Sequence, residues 1–412
     1  MQTIGIIGAG PAGILAALEA RKSGAEVLLF DLNDMVGRKL LVTGAGRCNL
    51  TNTRAASDRY HASSLAVVDA ILKQFNHPDL LEYLHDLGIL TQATPDGWVY
   101  PLSYSAANVA SIFAAHLLES GADLHLSHKV NHILPQKQGF LLKFSTGQAA
   151  IFVDKLVVAV GGKAYPTLGS DGSIFPTLRA LGHKIISIQP ALAPLIISQK
   201  AVAAIQGVRM DAGIRLFGNG KLLDETRGNI IFTKGGINGP GVMDISYLVS
   251  QHKHINLEVE INFISGYEDA LKNIFARFAH SSIPINIVLG TVIPPKIASF
   301  ALKNLHVPPD QVLSSFQNKD IRRILTYLSA YSLKIEGVRG FEFCQLSTGG
   351  VPLTEVDPQS LESKILPGLF FAGEVLDVHG PCGGYNLQWA FSSGVVAGRH
   401  AAQCPQTALV EG

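Results

Sequence analysis

The chain has four cysteines in 412 residues, at positions 48, 344, 382 and 404. No two are spaced as Cys-x-x-Cys, the spacing that a zinc knuckle or a thioredoxin-like dithiol needs, so neither is written here. So sparse a set, with no disulfide framework, points to the cytoplasm. No apolar run reaches the roughly 18 residues that read as a membrane-spanning helix. Charge is scarce as well: 16% of residues are charged, against about 25% in ordinary soluble domains. Thirty-three basic and 32 acidic residues leave a net charge of +1. A nucleic-acid binder shows a basic excess or a dense basic patch, so neither DNA nor RNA is expected as the main partner, and no membrane is. The 14 histidines are scattered without an HExxH group; His252 and His254 sit in a polar Gln-His-Lys-His run. No metal site is expected. Internal repeats and low-complexity segments are lacking. With 47% hydrophobic residues, intrinsic disorder is excluded.

Glycine is what the chain has in excess: 41 of 412 residues, about 10% against about 7% on average, and the glycines are clustered. The first forty residues read as β-α-β: a strand at Thr3–Ile7, a helix over Ala12–Ser23 ending at Gly24, and a strand at Glu26–Phe30 closed by Asp31. The apolar stretch Thr3–Ala20 lacks the basic lead of a secretion signal and is interrupted by Gly8, Gly10 and Gly13, so it reads as core structure. Helices are expected over 64–87 and 105–120. Strands are expected at 123–126 and 156–160, and a hairpin over 140–153 around Thr146-Gly147.

After about Pro190 the texture changes to short strands and turns. Asn219-Gly220 is a hairpin signal, because both residues tolerate positive φ. Ser265-Gly266-Tyr267-Glu268 has the form of a capping box. It opens a mainly helical stretch to about Tyr331, broken by Pro294-Pro295 and Pro308-Pro309. Strand character returns at Phe341–Leu346 and Leu369–Ala372, and Ala390–Ala402 reads as a last helix. At about 150 residues per domain the length holds two or three domains. The simplest division is an α/β nucleotide-binding domain of residues 1–190 and 345–412, an inserted β region of 191–264 and 332–344, and a helical segment of 265–331.

Gly8-x-Gly10-x-x-Gly13 follows a strand and opens a helix. Its glycines permit a tight turn, close approach to a pyrophosphate and close helix–strand packing. The helix start offers free N–H groups and a positive dipole end. Asp31, 23 residues after Gly8, is placed to accept bonds from ribose hydroxyls. It disfavours a 2′-phosphate by like-charge repulsion, although Arg38 or Lys39 would offset that. This motif alone leaves FAD and NAD both open. No second complete GxGxxG is present, so a second Rossmann domain for NAD(P)H is not expected; such a donor would bind transiently against the flavin.

Three further clusters carry more. Residues 37–52 read GRKLLVTGAGRCNLTN; Val157–Val160 runs into Gly161-Gly162; Gly368–Glu374 precedes Gly383-Gly384-Tyr385-Asn386-Leu387-Gln388. Together with residues 8–13, 156–173, 233–241 and 368–394, these resemble the bacterial BaiN/YhiN-type flavoproteins, a family also labelled aminoacetone-oxidase-like or NAD(P)/FAD-dependent oxidoreductase. The resemblance spans the whole chain. It implies a Rossmann-like FAD-binding domain of the glutathione-reductase type, with an inserted β-barrel domain and a nested helical segment.

By that resemblance Gly8, Gly10, Pro11, Ala12 and Gly13 hold the FAD pyrophosphate, and Asp31 takes the adenosine ribose where the family often has Glu. Arg38 and Lys39 contact the adenosine side. Gly44 and Asn49 approach the ribityl and flavin portion, and Val130 meets adenine through its backbone. Glu374 approaches the ribityl–phosphate part. Asn386 and Leu387 present N–H groups to the flavin pyrimidine edge, where a helix start stabilises the charge of the reduced ring. Gly37, Gly161 and Gly373 complete the cofactor-binding set.

Catalytic assignments are open. His379, in His-Gly-Pro-Cys-Gly-Gly, is a proton donor by chemistry; the family favours an acidic residue there. Cys48 reads as a small buried residue before it reads as a redox partner. Tyr100, with Tyr104, is a proton donor, a ring-stacking wall or core packing. Thr233–Gly241 lines the substrate side or is a turn cluster. The reading is an FAD-dependent oxidoreductase of a small organic substrate placed between the flavin and the inserted domain, with NAD(P)H as a possible donor. The alternatives are an amine or alcohol oxidase, an RNA-modifying flavoenzyme, and a flavin-binding protein without turnover.

Overall fold

The computed structural model describes residues 2–145 and 147–403, so Thr146 and Cys404 lie outside the described residues. It divides into two compact units, Met1–Gln189 with Gln345–Gly412, and Pro190–Cys344.

The first unit is built on a five-stranded parallel sheet. Its order is Leu369–Phe371, Lys155–Val158, β1 (Thr3–Ile7), β2 (Glu26–Phe30) and Asp123–His125. β1 is central and almost wholly buried, which is why it reads as a continuous apolar run. Helix α1 (Pro11–Lys22) crosses from β1 to β2. It starts with Pro11 at its first position, where a missing N–H costs nothing, and is buried from Ala12 to Ala20. An all-round apolar helix is an interior helix. A three-stranded antiparallel sheet, Val130–Pro135, Phe140–Phe144 and Ile151–Val153, contains the expected hairpin plus one strand not expected from the sequence.

The last helix runs from Tyr385 to Ala402, five residues earlier than the apolar spacing of Ala390–Ala402 indicates. The extra turn, Tyr-Asn-Leu-Gln-Trp, mixes polar and apolar residues, and Tyr385, Gln388 and Trp389 are buried. The final helix lies against α1 at glycine contacts. A Cβ added to Gly394 would overlap the carbonyl oxygen of Ala12, and one added to Gly398 that of Ala16. The pairings advance together, so the two helices are parallel. The stretch expected as one helix over 64–87 is two, Leu65–Gln74 and His77–Asp86. Asn76 breaks it by capping: its amide oxygen accepts from the Asp79 N–H at 3.1 Å, and the Asp79 carboxylate accepts from the Asn76 N–H at 2.8 Å. That reciprocal pair starts a helix.

The second unit holds a closed six-stranded antiparallel barrel. The α/β Rossmann architecture with an inserted barrel is therefore the observed fold. Asn219 and Gly220 have φ of 49° and 77°, the positive-φ pair of a type I′ turn, joining Arg209–Gly218 to Lys221–Thr233. The strand expected at 341–346 lies earlier, at Tyr331–Val338, where Leu333 and Ile335 face the core and Lys334 and Glu336 face solvent. Four helices follow the barrel strand Leu257–Asn262, at Glu268–Arg277, Ile285–Gly290, Pro295–Asn304 and Asn318–Ser329. The Ser265–Glu268 capping box does not form. The helix begins at Glu268 behind Tyr267, and the Glu268 carboxylate accepts from the Asn262 amide at 2.7 Å instead. No described helix is long and apolar enough to cross a membrane.

Because the α1–final helix contact has no room for a methyl group, Gly398→Ala is expected to lower stability by about 1–3 kcal/mol, the usual cost of overpacking. Equilibrium denaturation of both proteins checks this.

Candidate active site

The glycine loop is shaped by contacts that only glycine allows. Gly8 has φ 105°, and a Cβ there would overlap the Ala159 carbonyl. A Cβ on Gly13 would overlap the Gly8 carbonyl, so Gly13 sets helix–strand spacing. Gly10 differs: it caps α1 with an ordinary φ of −81°, and a Cβ there meets nothing within 4 Å. The protein leaves space over Gly10 that its own packing does not use. The first N–H groups of α1 have no partner within the helix, and they border this space.

Asp31 is tied to the loop. Its carboxylate accepts from the Ala9 N–H at 2.6 Å and from the backbone and side chain of Asn33 at 2.7 and 2.9 Å. Burial raises the Asp31 carboxyl above its ordinary pKa, and the Asn33 and Ala9 N–H groups pull against that. Three of about four acceptor sites are filled, leaving one for a hydroxyl. Val130 begins a strand just beyond His128, whose N–H donates to the Asp31 carbonyl at 2.7 Å. Gly161, φ 76°, follows the strand beside β1 and packs on Ser170.

Segment 37–52 wraps this centre. The Gly37 N–H donates to the Ala9 carbonyl at 2.8 Å. Arg38 is exposed and lies 3.7 Å from Asp34. Lys39 is drawn inward, donating to Glu374 at 2.8 Å. The other Glu374 oxygen accepts from the Ser347 N–H at 2.8 Å and its hydroxyl at 3.1 Å. Gly162 has no Cβ to collide with this pair. Lys39 and Glu374, assigned to different ends of the cofactor by resemblance, are thus one ion pair.

Further along, Asn49 is buried and its amide satisfies three groups: it donates to the Val99 and Thr51 carbonyls at 3.2 and 3.1 Å and accepts from the Gly384 N–H at 3.3 Å. Asn52 donates to the Gly383 carbonyl at 2.9 Å. A Cβ on Gly384 would overlap the Thr51 carbonyl, and one on Gly383 would lie 2.7 Å from Trp98 Nε1. The motifs at 37–52 and 383–388, more than 330 residues apart, therefore meet at the start of the final helix. Asn386 and Leu387 occupy its first turn. The Asn386 amide accepts from the Gly380 N–H at 2.7 Å and donates to its carbonyl at 2.8 Å, which holds the preceding loop. Gly373 has φ 77°, and a Cβ there would lie 3.0 Å from that of Ala12.

The parallel helices carry both helix starts on one side. From the Gly394–Ala12 contact, Tyr385 is nine residues back and Pro11 one. The eight-residue offset is about 12 Å at 1.5 Å per residue. Two positive helix ends so displaced suit an extended ligand with anionic or electron-rich groups at two places.

The three catalytic candidates differ. His379 is buried, pairs across strands with His61, and stacks on its ring at a centroid distance of 5.0 Å. Burial, then the charge of His61, lowers its pKa to about 3, so it is neutral at pH 7. Cys48 is fully buried with φ 62°; burial pushes its thiol up to about 12, which removes thiolate chemistry at neutral pH. Tyr100 is buried, and burial raises its phenol pKa. The glycines of 233–241 have a packing reason: Cβ atoms on Gly236 and Gly239 would collide with the Leu195 and Asn229 carbonyls.

Asn33, Ser347, Thr51 and Gln388 also hold the site together. Thr51 and Gln388 stand inside the quoted motifs and share a buried bond; nothing local marks Asn33 or Ser347. One cluster imitates a hydrolase. Ser363 Oγ lies 3.0 Å from His183 Nε2, and His183 Nδ1 lies 2.9 Å from Glu355. The hydroxyl, however, is buried and already accepts from the Ile365 and Leu366 N–H groups at 3.0 and 2.9 Å. It is a turn brace, not a nucleophile.

The chain matches the family described as HI0933-like protein Rossmann domain over residues 2–400. It is 33% identical to 3-dehydro-bile acid delta(4,6)-reductase of Clostridium scindens, across 98% of this chain and all of that protein. It is 27% identical to ribosomal RNA dihydrouridine synthase of Escherichia coli, across 94% of this chain and 95% of that one. Among solved structures, 3-ketosteroid-delta4-(5alpha)-dehydrogenase from Rhodococcus jostii aligns with a TM-score of 0.53 at 14% identity, covering 97% and 96% of the two chains. That similarity shows a shared fold.

Folded His379 stays neutral down to about pH 3, while the unfolded imidazole protonates near 6.5. Between those values the unfolded chain binds the extra proton, so stability falls as pH drops from 6.5 toward 3. His379→Asn is expected to flatten this part of the stability–pH curve, measured by denaturation between pH 7 and 4.

Proposed function

The chain belongs to the HI0933-like family, and from that premise we propose that this oxidoreductase uses FAD to reduce a carbon–carbon double bond conjugated to a carbonyl in a small organic substrate, with NADH or NADPH as electron source. The observation that carries the cofactor is the open space over Gly10, bordered by the start of α1 and by Asp31. Phosphate suits the dipole and N–H groups found there.

The reaction class draws on the relatives. The Clostridium scindens protein is named for reducing Δ4,6 double bonds of a 3-dehydro bile acid. The Escherichia coli protein is named for making dihydrouridine, which is also reduction of a ring double bond conjugated to a carbonyl. Two different substrates with one bond type favour that bond type here.

Bound FAD supplies the hydride chemistry. The glycine loop binds the pyrophosphate, and the free acceptor site of Asp31 takes a ribose hydroxyl. The first turn of the final helix supports negative charge on the pyrimidine edge. The proton that completes the reduction needs a donor still protonated at pH 7. Tyr100 meets this, since burial holds its proton. An RNA substrate is the second reading, favoured by the dihydrouridine synthase relatives; the net charge of +1 gives it no general attraction to phosphate.

The test is the visible spectrum of the purified protein, taken anaerobically before and after NADH or NADPH, then after 4-androstene-3,17-dione or 2-cyclohexenone. A flavin spectrum bleached by one nucleotide and restored by an enone is expected. No flavin after reconstitution with FAD would overturn the cofactor. A reduced flavin that no enone reoxidises would overturn the reaction class. Gly10→Ala is expected to leave the apo-protein melting temperature nearly unchanged, since a Cβ there meets nothing within 4 Å, while weakening FAD binding about tenfold, about 1.4 kcal/mol; equilibrium dialysis checks it.

A further inference from the structure

We propose that Arg47 recognises an anionic group of the substrate, so that the substrate carries a carboxylate or similar single anion beside a flat apolar body. The inference rests on the flavin reading above. Arg47 is exposed. Its guanidinium carbon lies 5.1 Å from the centroid of the Tyr100 ring, and its Nε donates to the Gly44 carbonyl at 3.0 Å. These two contacts engage the face of the guanidinium and its Nε–H; among the described residues its two terminal amino groups make no hydrogen bond or ion pair. Among the described residues no carboxylate lies within 4 Å of it, whereas Arg38, Arg215 and Arg399 each have one. A preorganised, unneutralised fork of this kind matches a carboxylate in two parallel hydrogen bonds.

The surroundings supply the rest. Tyr104 is 41% exposed and its ring lies 5.3 Å from that of Tyr100. Leu102, two residues away, is 52% exposed, and its N–H donates to the carbonyl of Leu90, itself 54% exposed. These are apolar surfaces on which a flat body can rest. Ala45 and Cys48, which flank Arg47 in the chain, and Tyr104 have φ of 57°, 62° and 48°, three non-glycine residues in the left-handed region. Such conformations persist where the surrounding structure enforces them, and they gather at ligand clamps. Two residues after Arg47, Asn49 accepts from the Gly384 N–H at the start of the final helix. The loop that presents the guanidinium is thus the loop that braces the flavin end of the site.

Benzoate and benzamide test this, because they share shape and differ in charge. Binding of each to the FAD-loaded protein is read from the perturbation of the flavin absorption band. Wild type is expected to bind benzoate at least tenfold more tightly than benzamide, with the preference shrinking as sodium chloride is raised. Arg47→Ala is expected to erase the preference while leaving benzamide binding within twofold. Arg47→Lys, which keeps charge but loses the fork, is expected to fall between. Equal binding of the two probes by wild type, or a preference that survives in Arg47→Ala, overturns the inference. If Arg47→Ala does not retain flavin, Arg47→Lys decides it: an undiminished preference at all salt concentrations counts against the fork. Absence of flavin from wild type defeats the cofactor reading itself, a separate outcome visible in the spectrum before any probe is added.

Discussion

The backbone-to-backbone contact between α1 and the final helix is the constraint on which the first unit depends. Gly394 and Gly398 let the final helix lie directly on the carbonyls of Ala12 and Ala16. Residues from opposite ends of the chain thereby share one axis, and both helix starts point the same way. Close packing turns small misfits into large costs, so this contact fixes the offset of about 12 Å at 1.5 Å per residue. Asn386, Leu387 and Gln388, in the first turns of the final helix, take their place from that register.

Polar bonds then sharpen what packing sets. Asp31 ties β2 to the glycine loop through Ala9, and the Lys39–Glu374 pair ties segment 37–52 to the loop ahead of the final helix. Asn49, Asn52 and Gln388 close the seam between strand Thr51–Asn52 and Gly383-Gly384. Each is a partly or fully buried bond between distant segments, and leaving one partner unsatisfied costs more than the bond itself contributes. The cradle is therefore rigid where a cofactor would lie. The segment beside it, around Arg47 and Tyr104, is exposed and holds strained backbone.

Titration follows the same division. Cys48 and His379 sit in the packed part, and burial keeps both uncharged at neutral pH. Arg47 sits on the exposed part.

Elements defined by local chemistry were legible in the sequence. β1, α1 and β2 appear within a residue of their expected bounds at the apolar runs and the Gly24 stop; the Asn219-Gly220 hairpin and the proline-bounded helices stand where turn residues demand them. The Gly8–Gly13 turn between strand and helix was legible for the same reason: tight turns and helix starts need particular residues at particular spacings. Elements whose reason is a distant partner were not. The final helix starts at Tyr385 because Thr51 and Trp98 pack on Gly384 and Gly383. Ser265 fails as a cap because Asn262 claims Glu268. Lys39 meets Glu374 across 335 residues, and Arg47 meets Tyr100 across a stretch that holds two helices. The sequence by itself determined the local signals. Which side chains face one another was decided by the tertiary structure, because burial and backbone contact act between segments whose separation along the chain carries no local mark.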